Sequence, residues 1–100
     1  AALLDRYDEL TAALAYTRAL ATFEQQGPTK AATTQLKRAI RSNRFVPDYL
    51  LGEKRLPKQL PPFVGIGDED EAISYVFDAQ TTWGRNPEAL AWLREVRAAR

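Results

Sequence analysis

The chain has 100 residues, the length of one domain, and its 45% apolar and 27% charged residues are typical of a globular protein. It contains no cysteine and no histidine, which excludes disulfides, thiolate metal sites and the usual nucleophile–base pairs of enzymes. No apolar run approaches the ~20 residues of a membrane-spanning helix, so we expect a cytoplasmic protein without a membrane segment. These properties predict a non-enzymatic protein that needs no cofactor.

The first hairpin is predicted over residues 1–44, where apolar residues recur with helical spacing in two consecutive helices. One stripe of the first helix comprises Leu3, Tyr7, Leu10, Leu14, Thr17 and Ala21. The other stripe of the first helix comprises Ala13, Tyr16, Leu20 and Phe23. The buried stripe of the second helix comprises Ala32, Leu36, Ala39 and Ile40. We expect Gly27 to end the first helix, Pro28 to lie in the first turn of the second, and Asn43 to end the second in a left-handed conformation.

A connector is predicted over residues 45–67, because its prolines and glycines prevent a long helix. Pro47 would open a short helix that ends at Gly52, and the many apolar residues of the connector would pack it onto the helices.

A second hairpin is predicted over residues 68–100. Asp68 and Glu71 have the spacing of a capping box, and Asn86-Pro87-Glu88 is typical of a second helix start. The expected buried residues of this hairpin are Ala72, Ile73, Val76, Phe77, Trp83, Ala89, Trp92, Leu93 and Val96.

The predicted fold class is therefore all-α, a single helical domain of two antiparallel hairpins with a packed, proline-rich connector. The first hairpin resembles the ~34-residue tetratricopeptide repeat. Aromatic residues stand at both aromatic positions of that pattern (Tyr16 and Phe23), and alanines stand at both alanine positions (Ala32 and Ala39). The match is degenerate, because Leu20 replaces a glycine and Arg44 a proline, and the second hairpin fits less well.

Two strings in the connector region carry a more specific resemblance. The strings are Asn43-x-x-Val46-Pro47-x-Tyr49-Leu50-Leu51 and Gly67-Asp68-Glu69-x-Glu71-Ala72. Together with Leu56-Pro57, Tyr75, Trp83 and Ala89-Leu90-x-x-Leu93, they resemble the carboxy-terminal region of the suppressor-of-tumorigenicity 7 family and bacterial tetratricopeptide proteins, over roughly residues 32–96. The resemblance implies a longer helical-repeat protein with a scaffolding or regulatory role, and it brings no catalytic residues. The membrane association described for animal members has no counterpart segment in this chain.

Residue usage also bears on the origin of the chain. Methionine is absent, so we expect a fragment or a processed form, the carboxy-terminal part of a longer protein. Arginine outnumbers lysine ten to four and alanine is abundant, which indicates a bacterial source.

Charge is distributed unevenly along the chain although the net charge is only +1. Residues 37–58 hold seven basic and two acidic side chains, whereas residues 68–100 hold seven acidic side chains and four arginines. Such a division would steer a charged partner, although two solvated faces would give the same pattern. The candidate partner-binding residues are Lys37, Arg38, Arg41, Arg44, Lys54 and Arg55.

Other candidate sites have ordinary explanations. The four acidic residues 68–71 would suit a hard cation, but their spacing is not that of a calcium loop, and a helix start explains them. Gly65-x-Gly67 resembles part of a phosphate loop, but no strand precedes it and the acids that follow would repel phosphate. No metal site is therefore predicted.

The function predicted from these observations is a non-catalytic protein-interaction or scaffold module. The alternative is a nucleic-acid-binding accessory domain that would use the basic residues 37–58. An acidic protein segment suits the same residues better, because the chain as a whole is nearly neutral. The stripe of Leu3, Tyr7, Leu10 and Leu14 is expected to be covered by later segments, by upstream repeats of the same chain or by a second copy in a homodimer.

Overall fold

The computed structural model describes residues 12–58 and 68–99, which form five helices and no strand. In chain order these are α1 (Ala12–Gln26), α2 (Lys30–Ser42), α3 (Val46–Leu50), α4 (Glu69–Gly84) and α5 (Pro87–Ala98). The predicted all-α fold class is confirmed. Within residues 12–58 and 68–99, the helices are too short or too polar to cross a bilayer.

The helices α1 and α2 follow one another through a tight turn and share the most extensive helix–helix contact of the described residues. Gly27 has a φ of +77°, and its N–H donates to the carbonyl of Phe23 at 2.6 Å. Thr29 caps α2, since its hydroxyl accepts from the N–H of Ala32 at 3.2 Å. Pro28 therefore precedes the cap, and the prediction that it lies in the first turn of the helix is wrong. A threonine hydroxyl can satisfy a free N–H at a helix start, which proline cannot.

The core is formed by one face of each long helix. The stripe predicted for α2 is buried without exception, and so are the residues predicted for α5. Aromatic side chains join the helices: the rings of Phe23 and Trp92 stack at 4.5 Å, and the Trp92 indole donates to the Thr33 hydroxyl at 3.2 Å. In α4, the indole of the fully buried Trp83 donates to the Tyr75 hydroxyl at 3.0 Å.

Only one of the two predicted stripes of α1 faces the core. Tyr16, Leu20 and Phe23 are buried, but Ala13, which was expected beside them, is exposed. Of the other stripe, Leu14 is 40% exposed, and Thr17 and Ala21 are exposed as well. Its remaining members, Leu3, Tyr7 and Leu10, lie outside the described residues.

The end of α2 differs from the prediction. Asn43 is buried and extended, with a φ of −156°, rather than left-handed. Its own N–H donates to the carbonyl of Ala39, which closes the last turn of the helix. The extended conformation leaves the amide side chain free to turn inward, where it makes the hydrogen bonds described below.

The short helix α3 begins as the sequence predicts, with Pro47 in its first turn. Gly52 follows the cap residue Leu51 and has a φ of +76°, a conformation that glycine adopts without strain. Residues 51–58 continue as an irregular segment that packs Leu56 onto the core, and the rest of the predicted connector lies outside the described residues.

The helices α4 and α5 begin where the sequence predicts, but only one of the two predicted caps forms. Asn86 accepts from the N–H of Ala89 at 3.1 Å, as expected of an N-cap. Asp68 holds the N-cap position of α4 but its side chain accepts no capping hydrogen bond, so the predicted capping box is wrong. Glu71, its expected partner, is instead buried and bonded to groups from other parts of the chain.

Candidate functional site

A buried polar cluster ties the end of α2 to the starts of α1 and α4. The Asn43 amide donates to the Glu71 carboxylate at 2.9 Å and to the Asp68 carbonyl at 2.8 Å. The other carboxylate oxygen of Glu71 accepts from the N–H of Ala12 at 3.1 Å. The Tyr16 hydroxyl donates to the Asn43 carbonyl at 2.7 Å. These bonds satisfy polar groups that would otherwise be costly to bury.

The cluster brings together residues of the two sequence strings described above. Asn43 comes from the first string, and Asp68 and Glu71 come from the second, so the strings bind each other directly. These bonds hold the carboxyl end of α2 to the start of α4, which is a structural role. The sequence predicted Asn43 at a helix end and Asp68 and Glu71 at a helix start, and no local signal indicated that they would pair.

A second, more exposed contact joins the same two strings. The Glu69 carboxylate accepts from the Tyr49 hydroxyl at 2.6 Å and from the Lys54 ammonium at 2.7 Å. The hydrogen bonds from Lys54 and Tyr49 hold the pKa of Glu69 below its usual value. The bond to Glu69 raises the pKa of Lys54. Burial and the carboxylate of Glu69 together raise the pKa of Tyr49 to about 12.

The raised pKa of Tyr49 predicts a loss of stability at high pH. A tyrosine with its ordinary pKa of 10.0 ionises in the unfolded chain, whereas folded Tyr49 keeps its proton until about pH 12. The stabilising contribution of neutral Tyr49 is therefore complete below pH 10 and is lost as the pH rises to about 12. We expect the Tyr49→Phe protein to lose less stability over this interval than the wild type, as measured by urea unfolding at each pH. An equal loss in both proteins would contradict the assignment.

The six candidate partner-binding residues are all exposed, and we call them the basic surface. Arg41 follows Arg38 by three residues and Lys37 by four, so it shares one side of the last turns of α2 with both. Arg44 and Lys54 come together because both lie over the ring of Phe45, at 5.1 and 5.7 Å from its centroid.

Arg55, the sixth residue, lies near the others because it directly follows Lys54 in the sequence. Among the described residues, no ion pair involves any member of the basic surface except Lys54. Five of the six cations are therefore available to a partner.

The acidic residues within the same stretch are occupied by a distant arginine. Arg97 of α5 forms a bidentate ion pair with Glu53, at 2.9 and 2.5 Å, and a longer contact to Asp48 at 3.3 Å. These are the two acidic side chains of residues 37–58. The hydrogen bonds that Glu53 accepts from Arg97 are the main cause that lowers the pKa of Glu53. Arg97 therefore offsets part of the negative charge beside the basic surface, and Asp48 still acts electrostatically on Lys54.

The acidic residues 68–71 do not converge on a common point. Glu69 is bonded to Tyr49 and Lys54, Glu71 is buried, and Asp68 and Asp70 are exposed. Over the described part of the chain, no three acidic side chains are grouped as metal ligands would be. Gly65-x-Gly67 lies outside the described residues.

Comparison of the chain with protein-family models, with curated proteins and with solved structures found no match. The resemblances drawn from its short strings therefore remain predictions, and a function has to be argued from the residues themselves.

Proposed function

We propose that the chain is a non-catalytic interaction or scaffold module that binds an acidic protein segment at the basic surface. The observation that carries this proposal is the ion pairing of Asp48 and Glu53 with Arg97 beside six exposed cations, of which only Lys54 forms an ion pair among the described residues. Complementary charge would guide an acidic partner to this surface and fix its orientation. As expected from the sequence, the module would be the carboxy-terminal part of a longer, cytoplasmic, tetratricopeptide-like protein.

The polar interior supports a structural rather than a catalytic use of the chain. Tyr16 and Asn43 are buried and are bonded to backbone and side-chain groups of other helices. A catalytic acid or base would need to reach a substrate. The exposed stripe of α1, which begins at Leu14 in the described residues, is the proposed contact for upstream repeats or a second copy.

Reversing charge on α2 tests the proposal. We expect the Arg38→Glu/Arg41→Glu protein to bind a fluorescent, glutamate-rich peptide about tenfold or more weakly than the wild type, because like charges would then oppose each other. The matched control is Lys30→Glu/Arg85→Glu, which changes net charge equally at exposed residues outside residues 37–58. Fluorescence anisotropy measures both affinities, and the control is expected to change by less than about twofold.

The same titration with a single-stranded oligonucleotide separates the alternative function. Nucleic-acid binding would give tighter binding to the oligonucleotide than to the peptide, with an affinity that falls steeply with salt. That result would show that the partner is a nucleic acid rather than an acidic protein segment. Equal losses in the α2 variant and in its control would show that only net charge matters, and would refute the basic surface as a binding site.

A further inference from the structure

Two cations, Arg44 and Lys54, lie over the ring of Phe45 at the end of the basic surface. The Arg44 guanidinium is 5.1 Å and the Lys54 ammonium 5.7 Å from the centroid of this ring. Lys54 is also 5.8 Å from the centroid of the Tyr49 ring. Both aromatic side chains are half-buried, so their faces and the two cations form one mixed surface.

This surface already holds one carboxylate, that of Glu69. It is bound by the charged donor Lys54 and the phenolic donor Tyr49, both at short hydrogen-bond distances. The side chains of Lys54 and Glu69 are 46% and 40% exposed, respectively. An ion pair so open to water contributes little stability, so a competing carboxylate would displace it at small cost.

Arg44 offers a second anchoring point beside this pair. Its guanidinium forms no ion pair with the described residues, and its planar donors are suited to a bidentate contact with a carboxylate. The methylene groups of a glutamate or aspartate would meanwhile cover the exposed edge of Phe45. The local chemistry thus matches an acidic side chain of a protein.

We propose that an acidic side chain of the protein partner binds across Arg44 and Lys54 beside the Phe45 ring, and that Glu69 lowers its affinity by competing for Lys54. This inference rests on the proposed function and deepens it, because it names the site on the basic surface and the residue that regulates it. The Glu69 carboxylate occupies Lys54 when the partner is absent, and the carboxylate of the partner displaces it on binding.

The test compares two variants that remove one negative charge from the first turn of the same helix. Glu69→Gln keeps an oxygen that accepts from Tyr49 and Lys54 but abolishes the competing charge. Asp70→Asn removes an exposed charge that forms no ion pair with the described residues. We expect Glu69→Gln to tighten binding of the glutamate-rich peptide by about fivefold and Asp70→Asn by less than about twofold.

Arg44→Gln provides an independent variant, since Arg44 is exposed and its loss leaves the Glu69 contacts intact. We expect it to weaken binding of the peptide about fivefold, against less than about twofold for the control Arg85→Gln. Thermal unfolding followed by circular dichroism checks that each variant is folded. If Glu69→Gln does not fold, Arg44→Gln and its control decide the question.

The outcomes separate this inference from the proposed function. Equal effects of Glu69→Gln and Asp70→Asn, together with no effect of Arg44→Gln, would overturn the site. If the charge reversal on α2 still weakened binding, the proposed function would stand without this site. If the wild type does not bind the peptide at all, the proposed function is refuted and this inference with it. A gain for the oligonucleotide instead of the peptide would also overturn the inference, because a nucleic acid would then be the ligand.

Discussion

Replacing Leu36 by alanine is expected to lower the free energy of unfolding by about 3 kcal/mol. Leu36 is fully buried in the core between the helices, so the substitution removes transfer energy and leaves a cavity. Chemical unfolding followed by circular dichroism measures the change, and the slope of the transition should stay constant if the folded and unfolded states are otherwise unaltered.

Leu14→Ala is the matched control, because it makes the same substitution within a helix at a side chain that is 40% exposed. It is expected to cost less than about 1 kcal/mol. A cost as large as that of Leu36→Ala, increasing with protein concentration, would show that a second copy covers the stripe of α1. That result would favour the predicted homodimer through Leu3, Tyr7, Leu10 and Leu14.

The second large effect is expected for Asn43→Ala, which should also destabilise the protein by about 3 kcal/mol. The substitution leaves the Glu71 carboxylate and the Asp68 carbonyl without the amide donor, and the Phe45 N–H without its acceptor at 3.0 Å. Each buried group that loses its partner costs about 1–3 kcal/mol, partly offset where water enters. The measurement is again equilibrium unfolding in urea.

Asn86→Ala gives a control with the same chemistry at a helix start. It removes one capping hydrogen bond, to the N–H of Ala89, and is expected to cost about 1 kcal/mol. Similar losses for the two substitutions would mean that Asn43 acts only as a helix end. The role assigned to the buried cluster would then be wrong.

Local signals in the sequence predicted most of the helices. Asn86-Pro87-Glu88 was interpreted correctly because a cap and its acceptor lie within one turn of each other. The buried faces of α2 and α5 were predicted for a similar reason, since the helical period places their apolar residues on one side. At Pro28 and Asn43 this approach failed, because Thr29 and the buried amide of Asn43 offered better hydrogen bonds than the expected geometry.

The candidate site was predicted in part. Its six cations were apparent from the charge distribution, but their availability was not. From the sequence, Asp48 and Glu53 would be expected to reduce the positive charge of the basic surface. Only in the folded chain does Arg97, more than forty residues away in the sequence, pair with them. Similarly, nothing in the local pattern placed both Lys54 and Arg44 over the ring of Phe45.

The all-α class, the starts of α3, α4 and α5 and the apolar faces of α2 and α5 thus follow from residues close together in the chain, where periodicity and capping act. Which stripe of α1 is buried and which acids are paired depend instead on how distant helices pack. So does the junction in which Asn43 meets Glu71. The bond from Asn43 to Glu71 joins residues 28 positions apart, and the bond from Ala12 to Glu71 joins residues 59 positions apart. Such bonds form only when the helices come together, so the local sequence does not predict them.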